Sequence, residues 1–358
     1  MTAYIIFLLV VLLLSKCISQ NYGGNKILYW ILLLLVLVLF EGLRDMSVGT
    51  DTGGYSRSFM YGRGWMGKNY DFSNLKFLMD EPLFALVNRI GLLFSSNYVG
   101  LLITAALIHA VCAIYSIKEN SVNVTASLFA FITLAFYLFG FAAIRQSIAL
   151  CIYMLSFKYL YSRQFWKYCG VVIVAALCHK SVIVAIPIYF IANLQFSKKT
   201  IAIISLSGII IGILMPYLLE FGATVEDRYA YYLKNVRGGE MLMLFAVCLA
   251  TFFIYARKDI SEDSLTRYDV NLNMVIVSAV IYATVFLTKS NTELNRFAIF
   301  FQLPSIFLYA DYYHCIYKER RNSDIPFIIL TIAFIGYYLI YISKIGGITD
   351  YKLNTTIF

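Results

Sequence analysis

The chain has 358 residues, of which 61% are hydrophobic and only 14% are charged, and its formal net charge is +9. Roughly a quarter of the residues in ordinary soluble domains are charged, so this composition excludes a soluble globular protein. The positive charge does not indicate nucleic-acid binding, because the basic residues lie beside apolar runs. A membrane surface or an anionic lipid substrate explains this charge better.

The apolar runs predict membrane-spanning helices. Many approach the ~20 residues that a helix needs to cross a hydrocarbon core of about 30 Å, and lipid obliges the backbone to form its own hydrogen bonds. We predict an all-α bundle forming one transmembrane domain over residues 1–358, with about ten crossings by length. The predicted crossings are 2–15, 27–43, 98–117, 124–142, 147–161, 200–218, 241–256, 270–288, 297–317 and 325–343.

Two further apolar segments contain too many polar residues to form simple crossings. Residues 168–193 carry His179 in their middle, followed by Pro187, and polar groups at the bilayer centre would cost several kcal/mol. We therefore predict a pair of short helices that turns at His179. The segment 81–94 is predicted to be a half-inserted helix with Pro82 in its first turn.

The distribution of basic residues predicts the orientation. Lysines and arginines of several short loops fall on one side of the predicted bundle, and the positive-inside rule makes that side cytoplasmic. The opposite, periplasmic side then holds a main loop, 44–80, and a second loop, 219–240. It also holds an outward-facing cavity and five basic residues: Arg44, Arg145, His179, Arg228 and Arg296.

The segment from Arg44 to Tyr55 predicts an anion site. Its glycines allow backbone N–H groups to converge on an anion, and the guanidinium of Arg44 suits phosphate oxygens. The alternative is a flexible outer loop in which Asp51 and Thr52 only cap the next helix.

Arg145 and His179 each stand at a predicted helix end. Arg145 needs an anion, a carboxylate or water as its partner near the membrane, or it reaches the lipid headgroups as an interfacial arginine. His179 can exchange a proton near neutral pH, or it can be a neutral group bonded to a backbone carbonyl. The sequence contains no pattern of metal ligands around it.

Aromatic and polar residues accompany the later arginines. Tyr229 follows Arg228, and Asn295 precedes Arg296, in a composition that suits the stacking and hydrogen bonding of sugars. Tyrosines also populate membrane interfaces without binding a ligand. Several arginines at one external cavity would repel one another unless an anion enters, which indicates a ligand such as a polyprenyl diphosphate.

At these residues the chain resembles the EpsG family of Wzy-type polysaccharide polymerases. The matching pieces are RDMSVGTDTGGY from Arg44, Glu81-Pro82, IRQSIAL from Ile144, ALCHKSVIVAIPIY from Ala176 and LNRFAIFF from Leu294. They occur in family order and cover the chain nearly end to end. After about residue 200 the resemblance depends mainly on Arg228-Tyr229, Asn295-Arg296 and hydropathy.

The resemblance implies a GT-C-type glycosyltransferase in the bacterial inner membrane. Such an enzyme transfers a growing glycan from undecaprenyl diphosphate to a lipid-linked repeat unit and makes O-antigen, capsule or exopolysaccharide. It requires neither metal nor other cofactor, because the diphosphate already activates the donor. Its partners are the lipid-linked donor and acceptor, membrane lipid and a chain-length regulator, and nucleic acid is not among them.

The resemblance also implies roles for individual residues. Arg44, Arg145, Arg228 and Arg296 are expected to bind the diphosphate. Thr50, Tyr55, Gln146, Tyr229 and Asn295 are expected to bind the glycan. Asp51, Glu81 and His179 are the candidate catalytic groups; Asp51 or His179 is favoured as the base, while Glu81 could instead hold an arginine in place.

Two other functions remain open from the sequence. An O-antigen ligase would move the glycan from the same carrier onto a lipid core, but usually has a larger outer loop. A flippase or transporter of lipid-linked saccharides predicts charges near mid-bilayer and inverted repeats, neither of which is seen.

Overall fold

A computed structural model describes residues 1–61, 81–225, 239–289, 294–317 and 324–355. Within these ranges the chain is helical and forms no β-strand. The α-helices are α1 (Thr2–Ser19), α2 (Lys26–Gly42), α3 (Thr52–Tyr61), α4 (Pro82–Phe94), α5 (Val99–Asn120), α6 (Val124–Thr133), α7 (Ile144–Met154), α8 (Phe157–Tyr161), α9 (Phe165–Ala176), α10 (Ala185–Ala192), α11 (Lys198–Val225), α12 (Glu240–Ala256), α13 (Glu262–Leu287), α14 (Asn295–Gln302), α15 (Ser305–Tyr317) and α16 (Ile325–Ile340).

Six helical segments in the described ranges are long and apolar enough to cross a membrane, which makes this a multi-pass membrane protein. Shorter apolar helices accompany them. The all-helical class is thus confirmed, while the count of about ten crossings stays a prediction. The six segments are Thr2–Ser19, Val99–Asn120, Val124–Phe141, Glu240–Asp259, Glu262–Leu287 and Ile325–Lys344.

The chain divides into two compact units. The first comprises Met1–Tyr159, Gln164–Ile183 and Ser323–Phe358. Its central helix is α5, which packs against α2, α4 and α7. At the contact between α4 and α5, a Cβ on Gly91 would lie 2.9 Å from the carbonyl oxygen of Gly100. Small residues let these two backbones approach closely, as they do in many membrane helix pairs.

The second unit comprises Leu160–Arg163 and Val184–Asn322. Its long helix α13 packs against α10, α11, α12, α14 and α15. The first half of α13 carries polar side chains that bond to its neighbours, such as Arg267, which lies 2.5 Å from Asp311 of α15. The predicted single transmembrane domain stays a prediction beside this division.

The break predicted at His179 is confirmed. Helix α9 ends at Ala176, a short 3₁₀ segment covers Lys180–Val184, and α10 begins at Ala185. The N–H of His179 still bonds to the carbonyl of Ala175 at 3.0 Å, so the turn closes directly on the end of α9. Proline 187 then falls in the first turn of α10, where its missing N–H costs no helical hydrogen bond.

Two predicted helix starts are also confirmed. Pro82 occupies the first turn of α4, and α7 begins at Ile144. The crossing predicted over 147–161 is interrupted, because α7 ends at Met154 and α8 begins at Phe157. The hydroxyl of Ser116 donates to the carbonyl of Met154 at 2.7 Å, which satisfies an acceptor released at this interruption.

The turn before α3 requires a glycine at position 49. Gly49 has φ +103°, and a Cβ there would collide with the backbone carbonyl of Phe141. We predict that Gly49→Ala lowers the free energy of unfolding by about 1–3 kcal/mol, the usual cost of such a strained conformation. Thermal unfolding in detergent measures this effect. Gly54→Ala is the matched control, because Gly54 lies in α3 with open space around it; equal losses in both variants would contradict the prediction.

Candidate active site

A buried carboxylate, that of Glu81, forms the centre of the site. Glu81 directly precedes α4 in the left-handed conformation (φ 57°), and its side chain is 2% exposed. One carboxylate oxygen accepts from Nη1 of Arg145 at 2.6 Å. The other lies 2.9 Å from Nδ1 of His179 and accepts from the backbone N–H of Lys180 at 3.2 Å. Three hydrogen-bond donors therefore meet at one side chain.

These neighbours keep Glu81 ionised. Burial alone would raise the pKa of Glu81, but the hydrogen bond from His179 and the charge of Arg145 bring it down to about 2. An ionised carboxylate only accepts hydrogen bonds, so Nδ1 of His179 carries the hydrogen towards Glu81. The second ring nitrogen, Nε2, is then the position at which this imidazole can take a proton.

Arg145 stands in the first turn of α7 and donates to a side chain on α3 and to one directly before α4. Besides its bond to Glu81, its Nε donates to the hydroxyl of Tyr55 at 2.9 Å. Burial would lower the pKa of Arg145, whereas Tyr55 and Glu81 raise it, and the net change is upward. The side chain remains 21% exposed, which leaves this firmly charged guanidinium accessible from solvent.

Tyr55 lies on α3 between Arg145 and the first turn of α4. Its ring packs edge-on against Phe84, with centroids 5.8 Å apart, and the guanidinium carbon of Arg145 lies 5.7 Å from the ring centre. Burial raises the pKa of Tyr55. The phenol is therefore neutral and offers Arg145 an oxygen acceptor.

Arg44 occupies a different position, in the interior of the first unit. It is 1% exposed and donates to the backbone carbonyls of Glu41 and Gly140 and to the hydroxyl of Thr52. Burial lowers the pKa of Arg44, and the nearby carboxylate of Glu41 partly offsets this. Direct binding of Arg44 to a diphosphate stays a prediction, since it would require the guanidinium to leave these acceptors.

The other predicted site residues are distributed over both units. Thr50 and Asp51 are exposed in the turn before α3, and Gln146 is buried beside Arg145 in α7. In the second unit, Asn295 and Arg296 begin α14, where Arg296 is exposed. Arg228 and Tyr229 lie outside the described residues. The structure thus brings Glu81, Arg145, His179 and Tyr55 together.

A second buried pair, between Glu41 and His109, was not foreseen. Oε2 of Glu41 lies 2.8 Å from Nδ1 of His109, and both side chains are at most 2% exposed. The ring of His109 stacks on that of Tyr137 with centroids 5.8 Å apart. A carboxylate next to an apolar run and a histidine within another run each indicate a polar partner, but their spacing along the chain does not pair them.

The family model described as "EpsG family" matches residues 27–353, nearly the whole chain. The chain belongs to the EpsG family. EpsG is a Wzy-type polysaccharide polymerase family, so the resemblance noted in the sequence is confirmed and the chain is a polymerase of the glycosyltransferase type. Searches among curated proteins and among solved structures gave no match.

The ionised state of Glu81 predicts a loss of stability in acid. The pKa of Glu81 falls from 4.5 to about 2 on folding, so its contribution is complete above pH 4.5 and is lost as the pH falls towards 2. The size is about 3 kcal/mol by linkage. We expect Glu81→Gln to lower the thermal midpoint in detergent at pH 7 and to remove this part of the acid dependence.

The matched control is Glu119→Gln, which neutralises an exposed carboxylate in the last turn of α5. Surface substitutions usually change stability by less than about 0.5 kcal/mol. An acid profile of Glu81→Gln that coincides with that of the wild-type protein would contradict the assignment.

Proposed function

We propose that this EpsG-family protein polymerises lipid-linked oligosaccharides at the periplasmic face of the bacterial cytoplasmic membrane. It takes a growing glycan from undecaprenyl diphosphate and joins it to the non-reducing sugar of an incoming lipid-linked repeat unit. The products are O-antigen, capsule or exopolysaccharide. The observation that carries this proposal is the contact of Arg145, Glu81 and His179 at one partly accessible site in a chain that matches the family over residues 27–353.

Arg145 has the properties needed to bind the leaving group. As the bond from the anomeric carbon to the diphosphate breaks, negative charge develops on the departing oxygen, and a fixed guanidinium stabilises it. The hydrogen bonds from Arg145 to Glu81, at 2.6 Å, and to Tyr55, at 2.9 Å, fix the plane of its guanidinium. Preorganised donors of this kind act without reorganisation during the reaction.

His179 is the group we assign as base. Its Nε2 removes the proton from the acceptor hydroxyl while that oxygen bonds to the anomeric carbon, and the diphosphate departs with the electron pair. Glu81 fixes the tautomer from the Nδ1 side and stabilises the imidazolium that forms, as carboxylates do in catalytic triads. Asp51, exposed at the start of α3, is the alternative base.

The remaining assignments extend the same proposal. Binding of the diphosphate also involves Arg228 and Arg296, and the glycan binds Thr50, Tyr55, Gln146, Tyr229 and Asn295. The site opens to an outward-facing cavity in a bundle of about ten crossings, and a chain-length regulator acts as a partner. The reaction uses no metal or nucleotide, because the donor already carries its diphosphate leaving group and arginines neutralise the developing charge.

The proposal predicts elongation by the isolated protein. Purified enzyme in detergent, given a synthetic undecaprenyl-diphosphate-linked repeat unit with chelator and without nucleotide, should yield a ladder of products by gel or mass spectrometry. A flippase would give no ladder but would move the lipid across a vesicle membrane. A ligase would transfer the glycan to a lipid core without extending it, and either result would reject the polymerase assignment.

The choice of base predicts a difference between two variants. His179→Ala should lower the elongation rate by about 10²–10⁴-fold, the usual contribution of general-base catalysis, whereas Asp51→Asn should retain most of the rate. His314→Ala controls for histidine removal in the last turn of α15, in the second unit. The reverse pattern, with Asp51→Asn inactive and His179→Ala active, would assign Asp51 as the base.

A further inference from the structure

Arg44 binds three separate segments of the chain. Its guanidinium donates to the Glu41 carbonyl at the end of α2, to the Gly140 carbonyl at 3.1 Å and to the Thr52 hydroxyl at 3.4 Å. The guanidinium carbon also lies 4.6 Å from the centre of the Phe141 ring. A planar guanidinium presents several donors in fixed directions, which suits acceptors that come from different segments. Arg44 therefore links the end of α2, the start of α3 and the turn before α7, a 3₁₀ segment over Leu138–Phe141.

Two of these segments carry the partners at the candidate active site. The hydroxyl of Thr52 donates to the carbonyl of Phe141 at 2.8 Å, which joins the start of α3 to the turn before α7. Tyr55 lies one helical turn after Thr52, and Arg145 follows the turn at the start of α7. The 2.9 Å bond between Arg145 and Tyr55 thus connects the two segments that Arg44 ties together.

The Glu41–His109 pair packs against Gly140, whose carbonyl Arg44 binds. It joins the end of α2 to the middle of α5 at 2.8 Å. Gly140 packs so closely on it that a Cβ would lie 2.5 Å from Oε1 of Glu41 and 3.0 Å from Nδ1 of His109. The absent side chain at position 140 leaves room for the Glu41–His109 pair, while the carbonyl of Gly140 accepts from Arg44. Contacts therefore run without interruption from His109 to Thr52.

We propose that Arg44 is a positioning residue, which sets the distance between Tyr55 and Arg145 through Thr52 and does not itself contact the diphosphate. This inference rests on the proposed function, because it assigns how the diphosphate-binding arginine of that site is held. The acceptors that occupy the guanidinium carry the inference: two backbone carbonyls and a hydroxyl of the protein itself surround a side chain that is 1% exposed.

The decisive variant is Thr52→Val, which removes the shared hydroxyl but changes no charge. Small misplacements of reacting groups lower rates by up to about 10²-fold, so we expect kcat for elongation to fall about tenfold while KM for the lipid-linked donor changes by less than about threefold. Thr52→Ser keeps the hydroxyl and should recover most of kcat. Thr133→Val is the control, because Thr133 is equally buried but its hydroxyl donates to Phe129 within α6 at 2.7 Å.

Arg44→Lys separates positioning from direct binding. Lysine keeps the charge but cannot reproduce the planar fork, so positioning predicts a fall in kcat like that of Thr52→Val. Direct binding predicts instead a donor KM raised by about tenfold or more and a Thr52→Val variant with wild-type kinetics. That second pattern would overturn the inference.

A spectroscopic measurement tests the inference independently of activity. The ¹⁹F resonance of 3-fluorotyrosine at position 55 reports the bond from Arg145, and Arg145→Lys defines the shift that follows its loss. Thr52→Val and Arg44→Lys should move the resonance in the same direction, and Thr133→Val should not. An unmoved resonance in Thr52→Val would reject the positioning role, whereas absence of elongation by the wild-type protein would reject the proposed function alone.

Discussion

Hydrogen bonds and opposite charge around the ionised carboxylate of Glu81 hold the candidate active site together. A buried charge is costly unless opposite charge and hydrogen bonds replace its water, and here Arg145, His179 and the N–H of Lys180 replace it. These donors come from the start of α7 and from the turn after α9. One charge therefore fixes the relative positions of three chain segments, and removal of any partner leaves an uncompensated charge rather than a mere gap.

Such an arrangement combines two tasks that a sugar transfer requires. The same carboxylate holds a guanidinium on one oxygen and an imidazole on the other, so a group suited to the departing anion and a group suited to the entering hydroxyl share one support. Because Glu81 neutralises Arg145, the site is less positive than a cluster of unpaired arginines. Attraction for an anionic donor thus depends on local geometry as well as on total charge.

Much of the backbone was predictable from the sequence, because hydropathy and helix-breaking residues act locally. Polar residues in the middle of an apolar run correctly indicated the break at His179, and the start of α7 next to Arg145 was foreseen for a similar reason. Which side chains pair was harder to predict, since Glu81 and His179 are 98 positions apart and nothing in their spacing joins them. The contacts of Arg44 were harder still to predict, because its acceptors include backbone carbonyls. Every residue possesses such a carbonyl, and no sequence pattern marks the ones that bind a side chain.

The break at His179 also bears on how the protein enters its membrane. Helices α9 and α10 have 12 and 8 residues, whereas a helix that inserts on its own needs about 20. The exposed peptide groups between them need polar partners that hydrocarbon does not provide. The N–H of Leu83 supplies one of these partners by bonding to the carbonyl of Leu177 at 2.9 Å. Since Leu83 precedes this turn in the chain, the start of α4 already exists as a backbone partner when the turn after α9 is synthesised.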